Sequence, residues 1–454
     1  MKIKKLKLIK AVLLTIIASM ILSSIPLVQA SNPSTVSGAS GMTCTEWTCQ
    51  RKTFYANGLI WVFWGGMSYS TSADGESWSS PTNIRSSTGQ GFSVWHDGTY
   101  VYYACAVNGV ELHFRRGTTN SSGGITWSAA EQTVPTTYNL TFNPYVSVDS
   151  NGYVWISYVD KYESNLYHPY IIKNDNKDGT WSTNSSFPYQ LSTDSAFPAT
   201  SIIPLTNGKM LALYGTVSST LKAKAWNGSA WGSEASTGST LRFGEYYSAV
   251  AEGDNVHVVF LKDSPHDVVY TQYNYTSNSF GTETVIQASS GADVPPVISL
   301  DPTTNNLYVF WYWYPLTEHI YYKIFSGTWG EAVDWIDESA GYMPQTELLS
   351  SFYNAGGNFV GLEYMTSPSG VDQVRFAYLD LTAPSPTPTP TPYVGGGGSS
   401  VTPTPTPTPS FSPTNPILSE NPKNSDTYLV LALAGAGLVA VYFMSKKKKK
   451  RRHK

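Results

Sequence analysis

An aromatic ring, nearly always tryptophan, returns after a glycine-bearing turn along most of this chain, and that recurrence restricts its fold more than any other feature. It is read in "SADGESWSS" (Trp78), "SSGGITWSA" (Trp127), "NKDGTWST" (Trp181), "WNGSAWGS" (Trp231) and "FSGTWGEA" (Trp329), with Phe280 in the same place in "TSNSFGTE". A short alternating run precedes most of these turns, as in "LHFRRG", "LKAKAWN" and "IYYKIFS". A more continuously apolar run precedes that, as in "GLIWVFW", "KMLALYG" and "NLYVFWYW". A further strand leads most units, as in "FSVWHDG", "YVSVDSNG" and "VISLDPTTN". Strand-sized pieces with Gly, Asn and Asp between them predict an all-β domain over residues 43–380, with no helix longer than two turns.

Each unit is four strands in about 40–54 residues, the size of one β-propeller blade. Leading strands are expected near residues 51, 92, 145, 199, 247, 296 and 349, which counts seven blades, with six as the alternative. The last unit has three strands, and residues 34–48 are placed to supply its missing outer strand and close the ring. A tandem sandwich is the competing architecture; it needs no shared tryptophan at one position of every unit.

Ser72-x-Asp74-Gly75-x-x-Trp78 resembles an Asp-box, the hairpin signature of sialidase-like BNR-repeat propellers. Asp178-Gly179-x-Trp181 keeps most of the motif and Ser326-Gly327-x-Trp329 keeps less. The physical basis is local: aspartate accepts turn N–H groups, glycine permits positive φ, and tryptophan packs between sheets. The resemblance implies that these hairpins join the third and outer strands, on the rim away from the ligand face. They are therefore assigned no catalytic part.

The ends of the chain define the rest of the organisation. Residues 1–30 read as a secretory signal peptide: lysines, then an apolar run, then Val28-Gln29-Ala30. Residues 31–380 are the propeller ectodomain. Residues 381–426 are rich in Thr, Pro and Gly; proline at every second residue favours extended polyproline II, so this is a stalk, and its threonines suit O-glycosylation. Residues 427–445 form a candidate transmembrane helix, whose apolar run Tyr428 to Met444 spans about 26 Å. Residues 446–454, "KKKKKRRHK", are a basic tail that places the C-terminus in the cytoplasm and the bulk of the chain outside. Asn421–Asp426, "NPKNSD", resembles a sortase-type wall-sorting signal, although that family usually has threonine where this chain has Asn424; wall attachment stays open beside a plain membrane anchor.

Of 29 Lys+Arg, five lie in the first ten residues and eight in residues 446–454, leaving 16 against 32 Asp+Glu between them. So acidic an ectodomain repels nucleic acid and other polyanions, and the expected partner is an extracellular glycan or surface protein. Three cysteines, Cys44, Cys49 and Cys105, are too few for a disulfide scaffold. Asn120, Asn139, Asn184, Asn227 and Asn274 open N-x-S/T sequons, possible glycan sites on an exported chain.

In a propeller, one face is built by loops joining the second and third strands and by loops leading into each blade. Blade three offers Asp160 and Lys161 there, and blade five offers Asp263 and His266. Blade six offers "LYVFWYWYPLTEHIYY", Leu307 to Tyr322, where five consecutive aromatics precede a proline. Adjacent strand residues point to opposite faces, so one sheet face cannot bury Trp311, Tyr312, Trp313 and Tyr314 together. With Glu318 and His319 they form the expected ligand surface, since aromatic faces beside carboxylate and imidazole suit sugar rings.

A sialidase needs three arginines clamping a carboxylate, a Tyr–Glu nucleophile pair and a carboxylic acid. Arg51, Arg242 and Arg375 are the candidates, but the Arg-Ile-Pro motif is missing, and "RFGEYYS" lies at a blade start where tyrosines are common. No catalytic residue is assigned, the scattered histidines support no metal site, and no cofactor motif occurs. A non-catalytic binding module is expected; a sialidase-like glycoside hydrolase and a structural envelope protein are the alternatives.

Overall fold

The computed structural model describes residues 29–30, 33–38, 47–85, 91–107, 110–138, 141–163, 166–193, 199–215, 219–288, 295–313, 318–339, 341–342, 349–368 and 370–382. Most of the expected signal peptide and nearly all of the stalk, the C-terminal helix and the basic tail lie outside these residues, as do Cys44 and Tyr314. Among the described residues, no helix is long and apolar enough to cross a membrane.

The described chain is a seven-bladed β-propeller. Inner strands are Thr53–Ala56, Phe92–His96, Thr141–Val148, Ala199–Pro204, Tyr247–Glu252, Val297–Asp301 and Leu349–Ser351. Each pairs antiparallel with a second strand, which pairs with a third, and the third with one or two outer pieces. Blade seven is closed from the other end of the chain. Ser34–Gly38 pairs with Gln373–Asp380, and Gln29 and Ala30 continue the pairing opposite Asp380 and Leu379. The outer strand sought in residues 34–48 is thus supplied by their first five residues. The one helical element among the described residues is a single 3-10 turn, Thr206–Gly208.

Burial falls from the axis outward, and the sequence follows it. Second strands face a neighbouring blade on both sides, so "MLALYG" and "NLYVFW" are buried at every residue. Third strands alternate, as in the half-buried and buried positions of Thr220–Trp226. The outer strand Trp231–Thr240 is mostly exposed and polar. Buried serines on the inner strands link blade to blade. Ser93 Oγ accepts from Val146 N–H (2.7 Å), while Ser147 donates to Ile202 O (2.6 Å) and Ser299 to Phe352 O (2.6 Å). Each bond satisfies a backbone group that water cannot reach.

The recurring tryptophan joins neighbouring blades. Trp78 meets Phe376 of blade seven edge-on at 5.4 Å and donates to Ser34 Oγ (2.9 Å). Trp181 meets Phe114 of blade two at 5.1 Å, Trp231 stacks on Tyr189 of blade three at 5.3 Å, and Trp329 meets Tyr270 of blade five at 5.1 Å. Trp127 packs on Tyr103 of its own blade instead. In the first of these turns Asp74 Oδ1 accepts from Glu76 and Ser77 N–H at 2.9 and 2.8 Å, which together with Ser72 holds its pKa down to about 2. Gly75 sits at φ +76°, and a Cβ there would lie 2.7 Å from the Tyr378 ring, so both conformation and space require glycine.

Candidate functional site

Two regions bear on function: the upper edge of blade six, and the central channel.

On blade six, Asn306–Trp313 is a second strand and His319–Phe325 the third, in register from Leu307–Phe325 to Trp313–His319. Trp311 and Tyr312 are buried, which corrects their expected place on the ligand surface. The second strand has a neighbouring blade on each side, so alternation sends these rings into two inter-blade cores instead of one core and solvent. Trp313, one step nearer the strand end, is half-buried. It meets Tyr321 edge-on at 5.4 Å, and Tyr321 stacks on Trp311 at 5.9 Å and 15°. His319 lies opposite Trp313 with both ring nitrogens beside carboxylates: Nδ1 to Asp334 at 2.8 Å and Nε2 to Asp337 at 3.1 Å. Tyr321 Oη donates to Asp334 Oδ2 at 3.3 Å. Asp334 and Asp337 keep 52% and 63% of their side-chain surface exposed, so lone pairs remain for a ligand.

Glu318 acts through its backbone. At φ +56° its N–H donates to Trp313 O (3.0 Å), and its C=O accepts from Glu338 N–H (3.2 Å). Tyr321, Asp334 and Asp337 were missed by sequence reasoning. Their signal was the two-residue spacing from His319 and the outer strand "VDWID" of the same blade.

The loop residues of blades three and five are spread over separate blades. Asp160 is fully buried and accepts from Tyr138 N–H (2.6 Å), which corrects its expected exposure: a buried carboxylate must be used by its own fold. Lys161 Nζ lies over the Tyr167 ring at 5.6 Å. Asp263 pairs with Arg242 at 3.5 Å, and His266 is half-buried at φ +67°. The three arginines each hold partners of their own. Arg242 has Asp263, Arg375 has Glu338 at 3.7 Å and Pro33 O at 3.3 Å, and Arg51 lies in the channel.

The channel is crossed by the segment leading into blade one. Trp47 Nε1 donates to Asn143 Oδ1 (2.6 Å), Thr48 Oγ1 to Glu245 O (3.3 Å), and Gln50 Nε2 to Pro144 O (2.9 Å). Lys52 Nζ donates to Phe92 O (2.9 Å). Arg51 is 2% exposed; Nη2 donates to Ala249 O (2.8 Å) and Nη1 to Ser351 Oγ (3.0 Å), while Nε has no partner. One six-residue approach, Trp47 to Lys52, thus ties blades two, three, five and seven to blade one. Cys49, within it, and Cys105 are buried free thiols, each pushed up to about 12, by burial above all. Burial likewise raises the Glu245 carboxyl to about 7.

On the other side of Arg51 a cavity of about 670 Å³ opens among the turns that join first and second strands. Trp95 and Tyr353 wall it, edge to face at 4.7 Å, with Arg51, His96, Ser150 and Asn354 also lining it. This face is opposite to the one expected to bind.

The fold has neighbours among solved structures. The BP39L lectin from Burkholderia pseudomallei matches with a TM-score of 0.50 and 12% identity, over 73% of this chain and 96% of that one. A protein of unknown function from Dyadobacter fermentans matches with a TM-score of 0.44 and 12% identity, over 78% of this chain and 100% of that one. The six-bladed lectin of Aleuria aurantia matches with a TM-score of 0.41 and 13% identity, over 64% and 91%. No protein-family model and no curated protein matches the chain. At such identities the likeness concerns architecture: this chain is similar to lectin-type propellers in fold.

Proposed function

We propose that this protein is a non-catalytic glycan-binding propeller, displayed outside the cell on its Thr/Pro stalk and held by the apolar segment before the basic tail. The observation that carries this reading is the blade-six edge. A half-buried Trp313 stands against Tyr321, beside a histidine flanked by two carboxylates that remain open to solvent. Such a shelf offers a ring face for sugar C–H groups and acceptors for hydroxyls within one strand pair. A neighbour of the same fold is a lectin, in keeping with this reading. The hairpins around Trp78 and Trp181 fit the Asp-box resemblance as structural turns. The sialidase alternative needs arginines that share a carboxylate, whereas Arg242 and Arg375 each have a protein carboxylate as partner.

The test is a glycan array probed with the full-length chain in mild detergent, wild type beside Trp313→Ala. Affinity for the best glycan is expected to fall at least about tenfold in the variant, with melting temperature little changed. Equal binding by a folded Trp313→Ala removes the blade-six site, and release of free sugar from any sialoside removes the non-catalytic reading.

A further inference from the structure

We propose that the central cavity on the face opposite the blade-six shelf is a second binding site, built for a sugar ring that carries a single carboxylate, the chemistry of a uronic acid. It is distinct from the shelf and does not rest on it. Three features of the cavity converge on that ligand class.

The first is Arg51. Its guanidinium is withdrawn from water, lines the cavity, and spends Nη1 and Nη2 on Ser351 and the Ala249 carbonyl. Nε keeps an N–H with no acceptor, and the groups that act most strongly on this side chain are the phenols of Tyr145 and Tyr353, not a carboxylate. A buried guanidinium without a counter-charge is costly, and an anion bound beside it recovers that cost.

The second is His96. Gly98 N–H donates to its Nδ1 at 3.1 Å, which fixes the lone pair there and leaves the ring proton on Nε2. That Nε2–H is buried and without a partner, and the ring is held flat against Phe54 at 4.9 Å and 17°. Burial works against protonation, so His96 is a neutral donor. The cavity is thus lined by two side chains that each hold an unmet donor, Arg51 at Nε and His96 at Nε2, and a carboxylate supplies two acceptor oxygens.

The third is the shape and sign of the rest. Trp95 and Tyr353 give an aromatic wall for a ring. The carboxylates near the mouth are already engaged. Asp97 accepts from Thr99, Tyr100 and Tyr102, and Asp149 from Asn151, Tyr153 and Trp155. Two carboxylates at the lining oppose a polyanion and select a ligand with one carboxylate.

The experiment is calorimetric titration of the full-length chain in mild detergent with methyl β-glucuronide and, as the neutral control of the same ring, methyl β-glucoside. The glucuronide is expected to bind about tenfold or more tightly than the glucoside, and that preference to weaken as salt rises. Arg51→Gln is expected to abolish the preference. Because Arg51 also ties blades together, His96→Phe is the second variant; it keeps the stack on Phe54, removes the donor, and should reduce the preference several-fold. Trp313→Ala should leave it intact. Equal affinity for the two glycosides, no measurable glucuronide binding, an unchanged preference in folded His96→Phe, or its loss in Trp313→Ala would each overturn the proposal.

Discussion

In blade two, His113 sits between Glu111 and Glu131, with each ring nitrogen 3.0 Å from a carboxylate oxygen. In blade six, His319 sits between Asp334 and Asp337 in the same manner. Both histidines lie near the start of a third strand, and both take a carboxylate from the outer edge of their blade. The surroundings differ. Arg85, from the loop leading into blade two, grips Glu131 through Nε and Nη2 at 2.8 Å, and the Tyr103 hydroxyl donates to the same carboxylate. Glu131 is left about one-fifth exposed, whereas Asp334 and Asp337 are more than half exposed. One arrangement therefore spends its polar groups on joining blade one to blade two, and the other keeps them at the surface. A histidine between two carboxylates makes a staple in one blade and an exposed edge in another, and the guanidinium accounts for the difference.

Glu131→Gln tests this most severely. It removes the charge that Arg85, His113 and Tyr103 all face, and it should destabilise by about 2–3 kcal/mol, the scale of hydrogen bonds to a charged group. Its partial exposure keeps the loss below that of a fully buried pair. Chemical denaturation of the variant measures it; a midpoint equal to the parent's would make blade two no more of a staple than blade six.

The pH dependence sharpens the same point with a smaller effect. Burial alone would raise the Glu131 carboxyl, but hydrogen bonds from His113, Tyr103 and Arg85 outweigh it and hold the group near 2. A depressed carboxyl stabilises the fold above its ordinary value of 4.5 and loses that contribution as pH falls toward 2. His113 is raised above its ordinary 6.5, chiefly by its bond to Glu131. Its contribution is complete below 6.5 and is lost as pH rises through the folded value. The parent's advantage over Glu131→Gln should therefore peak between pH 4.5 and 6.5 and shrink on both sides. A pH series of melting curves for both proteins checks it, and an advantage that grows above neutral pH would contradict the sign.

The repeat was legible in the sequence because most blades use similar turn chemistry and the same outward loss of apolar side chains. Leading strands were expected near 92, 199, 247 and 349 and begin there. The third was placed at 145 but begins at Thr141, because a bulge after Phe142, with Asn143 at φ +49°, carries the strand past a polar residue and a proline. The candidate site was legible only at its tip. Trp313 and His319 stand at the strand ends, where single-residue reasoning reaches. Trp311 and Tyr312 are buried because a propeller's second strand has a core on each side, a fact of blade packing that no local pattern carries. The central cavity was hidden for a stronger reason. Trp95, Arg51 and Tyr353 are brought together only by closure of the ring across some 300 residues of chain. "FSVWHDG" and "QRKTFY" held its tryptophan and arginine in view without a way to join them.

The smallest expected change in stability, and the most discriminating, comes from Asp337→Asn. Asp337 is held below the ordinary carboxylate range mainly by its bonds to Ser339, and then by His319. Asparagine keeps an oxygen for Ser339 N–H, now 2.9 Å away, and removes only the charge beside His319 Nε2. No arginine is among the partners of this carboxylate, and its charge is already well hydrated, so melting should match the parent's. Glycan binding should still fall by about three- to tenfold, because a charged acceptor beside His319 becomes a neutral one. If the variant instead melts earlier, as Glu131→Gln should, then His319 is a second staple and blade six loses its distinction from blade two. Unchanged melting with weakened binding fixes the assignment from the ligand's side: the carboxylates of blade six are exposed because the fold does not need them.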